Sequence, residues 1–325
     1  MGGGKSKKKG WPDLPEPLPA PVTDNHTHLP LIDESGRPLD EDDVALPPGE
    51  APLSTAQQID LARSVGVTRL LSVGCDVPSL RGTVALARAH PEIAAAVAIH
   101  PNEAPLHAGV REMAPDGLDP AQRAHHEVPL EQAIAQVAEL ARDPRVVAVG
   151  ETGLDYFRTG ERGRVHQIDA FRQHIALAKE LGKPLQIHDR DAHHDVVEIL
   201  LADGAPERTV FHCYSGDAEM ATILAEQGWY ASIAGPVTFG KNEAGREALR
   251  ALPRDLVLVE TDAPYLTPAP YRGRPNASYV MPLTVRAIAE QWAMAEGEQA
   301  GGSGPGIAET CRILAANTEA VYGTW

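Results

Sequence analysis

Eight short apolar runs, each followed by a stretch of helical periodicity, recur along the chain from Val22 onward. Runs of this kind, rich in valine, isoleucine, leucine and alanine, are typical of strands buried in a parallel sheet. We predict strands at Val22–His26, Thr68–Val73, Ile93–His100, Val146–Glu151, Pro184–His188, Thr209–His212, Trp229–Ile233 and Leu256–Thr261.

The stretches between these strands predict helices at Ser54–Ser64, Pro78–Ala89, Leu130–Arg142, Gln167–Leu181, His194–Asp203, Ala218–Gln227 and Glu243–Ala251, with a last helix around Ala308–Val321. Eight successive βα units favour an α/β fold of the TIM (β/α)8 barrel type, in which the carboxyl ends of the strands carry the functional residues. An open, doubly wound sheet is the alternative. It is disfavoured because no glycine-rich phosphate-binding sequence follows the first strand.

Three segments fall outside this alternation. Residues 1–21 are rich in glycine and lysine and then in proline, so we expect a disordered tail. Two segments, about 32–53 and 102–129, exceed ordinary connection lengths. We expect both as insertions on the catalytic rim of a single TIM-barrel hydrolase domain that spans residues 22–325. His125, His126, His193 and His194 are expected to be solvated and are given no role.

Charge and cysteine content exclude several function classes. With a net charge of −16, the surface as a whole does not attract nucleic acid, so a polyanionic substrate would depend on local arginines and metal ions. Three cysteines without a C-x-x-C pair argue against a thiolate metal site and suit a reducing cytoplasm. No apolar run is long enough to cross a membrane. We expect a cytoplasmic monomer or weak oligomer without a membrane partner.

The fourth predicted strand ends in a carboxylate, Glu151, which follows Gly150 and precedes Gly153. We expect the two glycines to free the backbone to turn. A buried acid needs a positive partner; one explanation is pairing with an arginine, and the other is metal binding. Because four other strand ends carry histidines and one carries an aspartate, we interpret Glu151 as a metal ligand.

The strand ends together predict a metal centre. Two residues spaced i and i+2 on a strand point the same way, so the H-x-H pair of the first strand can converge on one ion. Nitrogen and carboxylate ligands without sulfur suit one or two divalent ions, Zn, Mn, Co or a looser Mg site. The predicted ligands are His26, His28, Glu151, His188, His212 and Asp262, with Glu151 bridging two ions.

These residues lie in motifs that resemble the TatD family of metal-dependent hydrolases and DNases. The motifs are D-N-H-T-H-L (24–29), I-H-P (99–101), G-E-T-G-L-D-Y-F-R (150–158), I-H-D-R-D-A (187–192), H-C-Y-S-G (212–216), the run 232–241 and E-T-D-A-P-Y-L-T-P-x-P-Y-R-G-R-x-N (260–276). The resemblance implies a TIM barrel that hydrolyses phosphodiester bonds at DNA ends with one or two divalent ions. It places the family's metal positions on the six ligands named above. Departures at Ala98, Tyr214 and Asn276–Ser278 concern the rim.

We predict catalytic roles for Asp262, Glu151 and His100. A metal-activated water is the expected nucleophile, and Asp262 is placed to accept its proton as well as to bind metal. His100 is either a strand-end histidine with structural contacts or, as its rim position favours, a contact to the substrate phosphate or leaving group. Asp155 is expected to support a ligand rather than to bind the ion.

Candidate contacts to substrate phosphate are His100, Arg158, Arg190, Lys241, Arg272 and Arg274. Surface salt bridges are the alternative for Arg158 and Arg190, since guanidinium groups pair with carboxylates as readily as with phosphates.

Three function classes remain open. The first is a probable exonuclease that removes nucleotides from DNA ends, with single strands preferred because few cations are available to grip a duplex. The second is a hydrolase of another ester, a small molecule or an aminoacyl-tRNA, since fold and metal do not separate these substrates. The third, a binding protein without activity, is disfavoured by the complete ligand set.

Overall fold

The computed structural model describes residues 10–31, 51–300 and 305–325. All eight predicted strands are present, and each pairs in parallel with the next along the chain in the order β1 to β8. This confirms the α/β barrel. The strands are β1 Val22–Thr27, β2 Val67–Gly74, β3 Ile93–Val97, β4 Val146–Asp155, β5 Leu185–Arg190, β6 Thr209–Phe211, β7 Tyr230–Ile233 and β8 Val257–Val259.

The barrel closes where the ends of β1 and β8 meet. The amide of Asp262 donates to the carbonyl of His26 at 3.0 Å, and the amide of His28 donates to the carbonyl of Ala263 at 2.7 Å. A parallel bridge joins Thr27 to Ala263. The backbone bonds that close the barrel therefore come from predicted metal ligands and their neighbours.

Each predicted helix is present, although the helix predicted at Gln167–Leu181 begins at Glu161 rather than at Gln167, and two further helices were not predicted. These two helices are α3, which is a single turn, and α9. The sequence of α9 does contain a signal, because Val285, Ile288, Ala289 and Trp292 have the apolar spacing of a buried helix face. The helices are α1 Thr55–Ser64, α2 Val77–Ala89, α3 Ala104–His107, α4 Leu130–Leu140, α5 Glu161–Leu181, α6 His193–Asp203, α7 Ala218–Gln227, α8 Glu243–Ala251, α9 Pro282–Ala300 and α10 Ile307–Tyr322.

The buried apolar side chains form two clusters, a smaller one of alternate strand residues and a larger one that includes the inner faces of the helices. The smaller cluster contains Leu71, Val73, Ala94, Ala96, Ala148, Val210 and Leu258, together with Val321 and Tyr322 of α10. The Tyr322 hydroxyl accepts a hydrogen bond from Gln186 Nε2 at 2.7 Å, and Thr318 Oγ1 donates to Asn25 Oδ1 at 3.1 Å. Since α10 is part of the core, we propose that one domain spans residues 22–325.

Residues 10–21 pack against the barrel, so the disorder expected for residues 1–21 does not extend over them; residues 1–9 lie outside the described residues. Leu18 is buried, and its amide donates to the carbonyl of Val65 at 2.9 Å. Arg274 donates to the carbonyls of Gly10 (2.7 Å) and Trp11 (3.1 Å). The proline-rich composition of this segment signals the absence of helix and strand, but its apolar and carbonyl groups still find partners on the barrel.

The two insertions differ in what the structure describes. Residues 32–50 of the first lie outside the described residues. The second contains α3 and the 3-10 helix Ala124–Glu127, which brings His107 and His126 into a buried position. The prediction that His126 is solvated is therefore wrong, whereas His194 is exposed as expected. None of the helices in the described part of the chain is long and apolar enough to cross a membrane.

Candidate metal centre

The six predicted ligands converge at the carboxyl ends of the strands, with Glu151 in the middle. Glu151 Oε1 lies 2.6 Å from His188 Nδ1 and 2.7 Å from His212 Nε2. Glu151 Oε2 lies 3.5 Å from His26 Nε2 and 3.8 Å from His28 Nε2. The two oxygens of one carboxylate thus face two separate pairs of imidazoles, as the bridging role predicted for Glu151 requires.

Asp262 completes the half of the site formed by the H-x-H pair. Its Oδ1 lies 3.6 Å from His28 Nε2 and 3.9 Å from His26 Nε2. Burial would raise the pKa of Asp262, but the hydrogen bond from His28 and the charges of His212 and His26 lower it. Asp262 is therefore a carboxylate at neutral pH.

The spacing of the donor atoms fits a divalent ion. His26 Nε2 and His28 Nε2 face each other at 3.3 Å, and two ligand nitrogens on a tetrahedral ion with bonds of roughly 2.0–2.1 Å lie about 3.3 Å apart. The donor atoms within each of three overlapping groups lie within 4.8 Å of one another. The groups are His26, His28 and Glu151; His26, His212 and Asp262; and His100, Glu151 and His188.

Two further acids orient the histidines on the second half of the site. Asp155 Oδ2 lies 3.1 Å from His188 Nε2, and Glu260 Oε1 lies 3.2 Å from His212 Nδ1. A carboxylate on one ring nitrogen fixes the tautomer and leaves the other nitrogen free for an ion. Asp155 lies beside His188, from where it would support this predicted ligand. No role was predicted for Glu260. Its position directly after the apolar run of β8 could have indicated that it lies at the same end of the barrel as the predicted ligands.

The local structure around Glu151 differs from the prediction. The chain does not turn at Glu151, because β4 continues to Asp155 with a register shift against β5 between Val149 and Thr152. The glycines permit close packing instead. A Cβ on Gly153, whose φ is +138°, would lie 2.1 Å from the carbonyl oxygen of His188. Gly153 therefore lets β4 approach the strand that carries His188.

Glu151 places a negative charge in the middle of the centre. Burial would raise its pKa, but the imidazoles of His212, His100 and His188 hold the pKa of Glu151 well below its usual range. For His188, burial acts to lower the pKa, and the hydrogen bonds to Asp155 and Glu151 outweigh it and raise the pKa to about 9. The protein thus maintains an ionised acid among basic rings, an arrangement that suits a cation once the ring protons leave.

His100 lies beside Glu151 but differs from the ligand histidines. Its Nδ1 accepts a hydrogen bond from the amide of Asn102 at 3.0 Å. In a neutral ring with an accepting Nδ1, the proton sits on Nε2. That Nε2 faces Glu151 Oε1 at 3.4 Å. Its partners therefore make His100 a hydrogen-bond donor toward the site rather than a donor of lone pairs to an ion.

The residues predicted to contact substrate phosphate differ in whether their charged groups already have partners in the protein. Arg158 lies 3.4 Å from Asp116 and is half exposed, while Arg190 and Arg272 stack on Phe157 and Phe239 at 3.9 Å and 4.6 Å. Lys241 is exposed. Arg274 is the exception, since its guanidinium holds the carbonyls of Gly10 and Trp11. We therefore remove Arg274 from the candidate contacts.

The family model described as TatD-related DNase matches residues 23–323. A curated relative from Mycobacterium tuberculosis, named an uncharacterized metal-dependent hydrolase TatD, is 42% identical over 236 residues, covering 71% of this chain and 81% of the relative. A relative from Erwinia tasmaniensis, named 3'-5' ssDNA/RNA exonuclease TatD, is 32% identical over 248 residues, covering 75% of this chain and 86% of the relative.

The crystal structure of the TatD homolog YJJV from Escherichia coli K12 superposes with a TM-score of 0.71 at 21% identity, covering 93% of this chain and 97% of that one. At this identity the likeness shows the shared fold.

Proposed function

The chain belongs to the TatD-related DNase family of metal-dependent hydrolases, and from this premise we propose that it is an exonuclease acting on single-stranded DNA ends. The observation that carries the proposal is the arrangement around Glu151. One buried carboxylate is shared by two sets of metal-binding side chains, and a proton-donating histidine stands beside it. Hydrolysis of a phosphodiester needs charge neutralisation, an activated water and a proton donor. Ions held by these side chains would supply the first two, and His100 would supply the third.

The residues that would hold the ions are those predicted from the sequence: His26, His28, Glu151, His188, His212 and Asp262. When bound, one or two divalent ions supply an activated water at neutral pH and offset negative charge on the phosphoryl oxygens. The protein's own contribution is to hold the ligands in place, through Asp155 on His188 and Glu260 on His212.

Asp262 is our proposed proton acceptor. Its carboxylate is ionised, and it lies next to His26 and His28. Asp262 lies three residues after the end of β8, with a φ of +52°, and its amide donates to the carbonyl of His26 at 3.0 Å, which holds the backbone in place. A base held in this way can take a proton from the attacking water without moving.

His100 is our proposed proton donor to the leaving oxygen. The amide of Asn102 holds the lone pair of Nδ1, so that Nε2 carries the transferable proton and points toward Glu151. Its side chain is 16% exposed, which leaves it within reach of a bound substrate. This geometry favours the leaving-group contact over the purely structural alternative.

Access and charge favour a strand end. Glu151 and His26 are 3% and 0% exposed, so the scissile bond must enter a recess, which a free terminus can do and the middle of a duplex cannot. The remaining cations, Arg158, Arg190, Lys241 and Arg272, allow only a few phosphate contacts. Each phosphate contact adds roughly 0.7 to the slope of log affinity against log salt for single strands. We expect a shallow salt dependence.

The test is a digest of end-labelled single-stranded, duplex and closed circular DNA, with added Mg²⁺ or Mn²⁺. We expect stepwise shortening of linear single strands and intact circles, with shortening from the 3' end as the name of the Erwinia relative suggests. The matched controls are Glu151→Gln, which should be inactive, and His194→Gln, which changes an exposed histidine and should be fully active. Rapid cutting of circles would reject the exonuclease, and inactivity on all DNA would reject the nuclease.

One observation favours hydrolysis of a different ester as the second candidate. A cavity of about 270 Å³ on the rim is lined by Glu103, Glu112, Asp116 and Asp119, with Arg123 and Arg158 as the cations. Three of these acids lie within ion-pair distance of an arginine, Glu112 of Arg162, Asp116 of Arg158 and Asp119 of Arg111, so the cavity offers no surplus of positive charge to a polyanion and accommodates a neutral substrate. Turnover of carboxylic or aminoacyl esters that depends on Glu151, with no cleavage of DNA, would establish this alternative.

A further inference from the structure

A second cluster of metal-binding side chains lies in the insertion 102–129. It consists of Glu103, His107, His125 and His126, and one ligand atom from each lies within 4.8 Å of the others. Glu103 and His107 come from the start and end of the α3 turn, and His125 and His126 come from the 3-10 helix Ala124–Glu127. The cluster therefore joins the two ends of the insertion.

His107 gives the strongest indication of a ligand. The side chain is buried, and its Nδ1 lies 2.7 Å from the carbonyl oxygen of Val128. A carbonyl accepts only, so Nδ1 must carry the ring proton and Nε2 must present its lone pair. That Nε2 is buried and has no hydrogen-bond partner among the described residues. A buried lone pair without a partner is unfavourable unless a cation occupies the space in front of it.

Glu103 and His125 supply the next two ligand atoms. His125 Nε2 lies 2.8 Å from Glu103 Oε2, and the His125 side chain is 13% exposed. The ring of His125 is therefore partly exposed, while its Nε2 points toward Glu103. Two imidazoles and one carboxylate form a donor set that zinc accepts, with the remaining position open to water.

His126 differs from the other two histidines. Its Nδ1 accepts a hydrogen bond from the amide of Arg123 at 2.9 Å, so the proton of the neutral ring sits on Nε2. That Nε2 lies 2.9 Å from Glu103 Oε2 and donates to it. His126 thus holds the carboxylate in place, as carboxylate partners do for the ligands of metal sites generally.

We propose that Glu103, His107 and His125 bind a divalent cation of the zinc type on the rim, separate from the candidate metal centre, and that His126 positions Glu103. The amide of Glu103 donates to the carbonyl of His100 at 2.9 Å. The rim ion would therefore fix the turn that carries the proposed proton donor, and would tie both ends of the insertion to it.

The test is metal content in the full chain. The protein is stripped with a chelator, loaded with Zn²⁺ and dialysed exhaustively, and zinc per chain is measured by mass spectrometry. We expect His107→Gln and His125→Gln each to lose one equivalent relative to wild type, and the matched control His194→Gln to lose none. Unchanged zinc in both variants, with folding verified by circular dichroism, overturns the site.

A second arm leaves the insertion intact. In the double variant His26→Ala, Glu151→Ala the candidate metal centre is disabled, and one zinc per chain should survive dialysis; retention of none overturns the site. For His126→Gln we expect the equivalent to be retained but lost faster to a competing chelator. Loss of the full equivalent would instead make His126 a ligand and overturn its positioning role.

Discussion

Replacing Asp155 by asparagine should weaken metal binding at the centre about 10–100-fold, since that is the usual effect of removing the hydrogen-bond partner of a metal-bound histidine. The structure explains the sensitivity. Asp155 Oδ2 faces His188 Nε2 at 3.1 Å and accepts from Asn102 Nδ2 at 3.3 Å, and Oδ1 accepts from the amides of Phe157 and Arg158. In all four contacts the partner can donate an N–H to Asp155, so residue 155 has to be an acceptor on both of its side-chain oxygens.

An asparagine cannot satisfy both sides of this arrangement. If its oxygen keeps the two backbone amides, its NH₂ group meets the N–H of His188, and the ring loses the acceptor that directs Nδ1 toward Glu151. If the amide flips, the oxygen serves His188, and the two backbone amides are left unsatisfied. Either orientation costs about 1–3 kcal/mol for a buried group without its partner. A tenfold to hundredfold loss of affinity corresponds to about 1.4–2.7 kcal/mol, which is the same range.

The assay is the dependence of hydrolysis on Mn²⁺ concentration, with calorimetric titration of the stripped protein as a direct measure of binding. The matched control is Asp189→Asn. Asp189 lies near the end of the neighbouring strand β5, but its Oδ2 lies 2.7 Å from Nδ1 of His193, which is not a predicted ligand. The metal affinity of Asp189→Asn should therefore equal that of wild type. Equal affinities of wild type and Asp155→Asn would refute the argument that Asp155 sets the tautomer of His188.

Three further outcomes are expected. Glu151→Ala should lower metal content and abolish hydrolysis while circular dichroism shows an intact barrel; normal metal with normal activity would remove Glu151 from the site. Asp262→Asn should retain most of the metal and lose more than the ~10²–10⁴-fold in kcat typical of a general base, and residual activity should lack the acidic limb of its pH profile. Burial lowers the pKa of His174 to about 4, so the unfolded chain binds the extra proton between about pH 6.5 and 4, and stability falls as pH falls through that window. The loss from pH 7 to 5 should be about 2 kcal/mol, and denaturant titrations of His174→Gln should show a flatter dependence on pH.

The barrel and the convergence of the six predicted ligands could be predicted because both depend on local patterns. An apolar run predicts a strand wherever it stands, and a polar residue at the end of that run falls on a known edge of a parallel barrel. Glu151 and Asp262 needed no knowledge of their neighbours to be placed there. The same reasoning located His100 on the rim.

Contacts between distant segments could not be predicted in this way. Gly10 and Trp11 lie in a proline-rich stretch that has no periodic signal, yet Arg274 binds their carbonyls across more than 250 positions of sequence. His126 follows a polar stretch and looks exposed, but it is buried because the two ends of the insertion fold against each other. Partners of this kind are properties of the packed structure.

The hydrogen-bond partners of the histidines divide them into two chemical types that their sequence context does not distinguish. His188 and His212 have a carboxylate on one ring nitrogen, which leaves the other nitrogen as a lone-pair donor to a cation. His100 and His126 accept a backbone amide on Nδ1, which makes Nε2 a proton donor to a carboxylate or a substrate oxygen. Because a backbone amide makes this contact, substitution of the Asn102 or Arg123 side chain should leave the ring proton of His100 or His126 on Nε2. The turns that follow β3 and precede α4 therefore set the orientation of His100 and His126, whereas the carboxylates beside His188 and His212 set the orientation of those two predicted ligands.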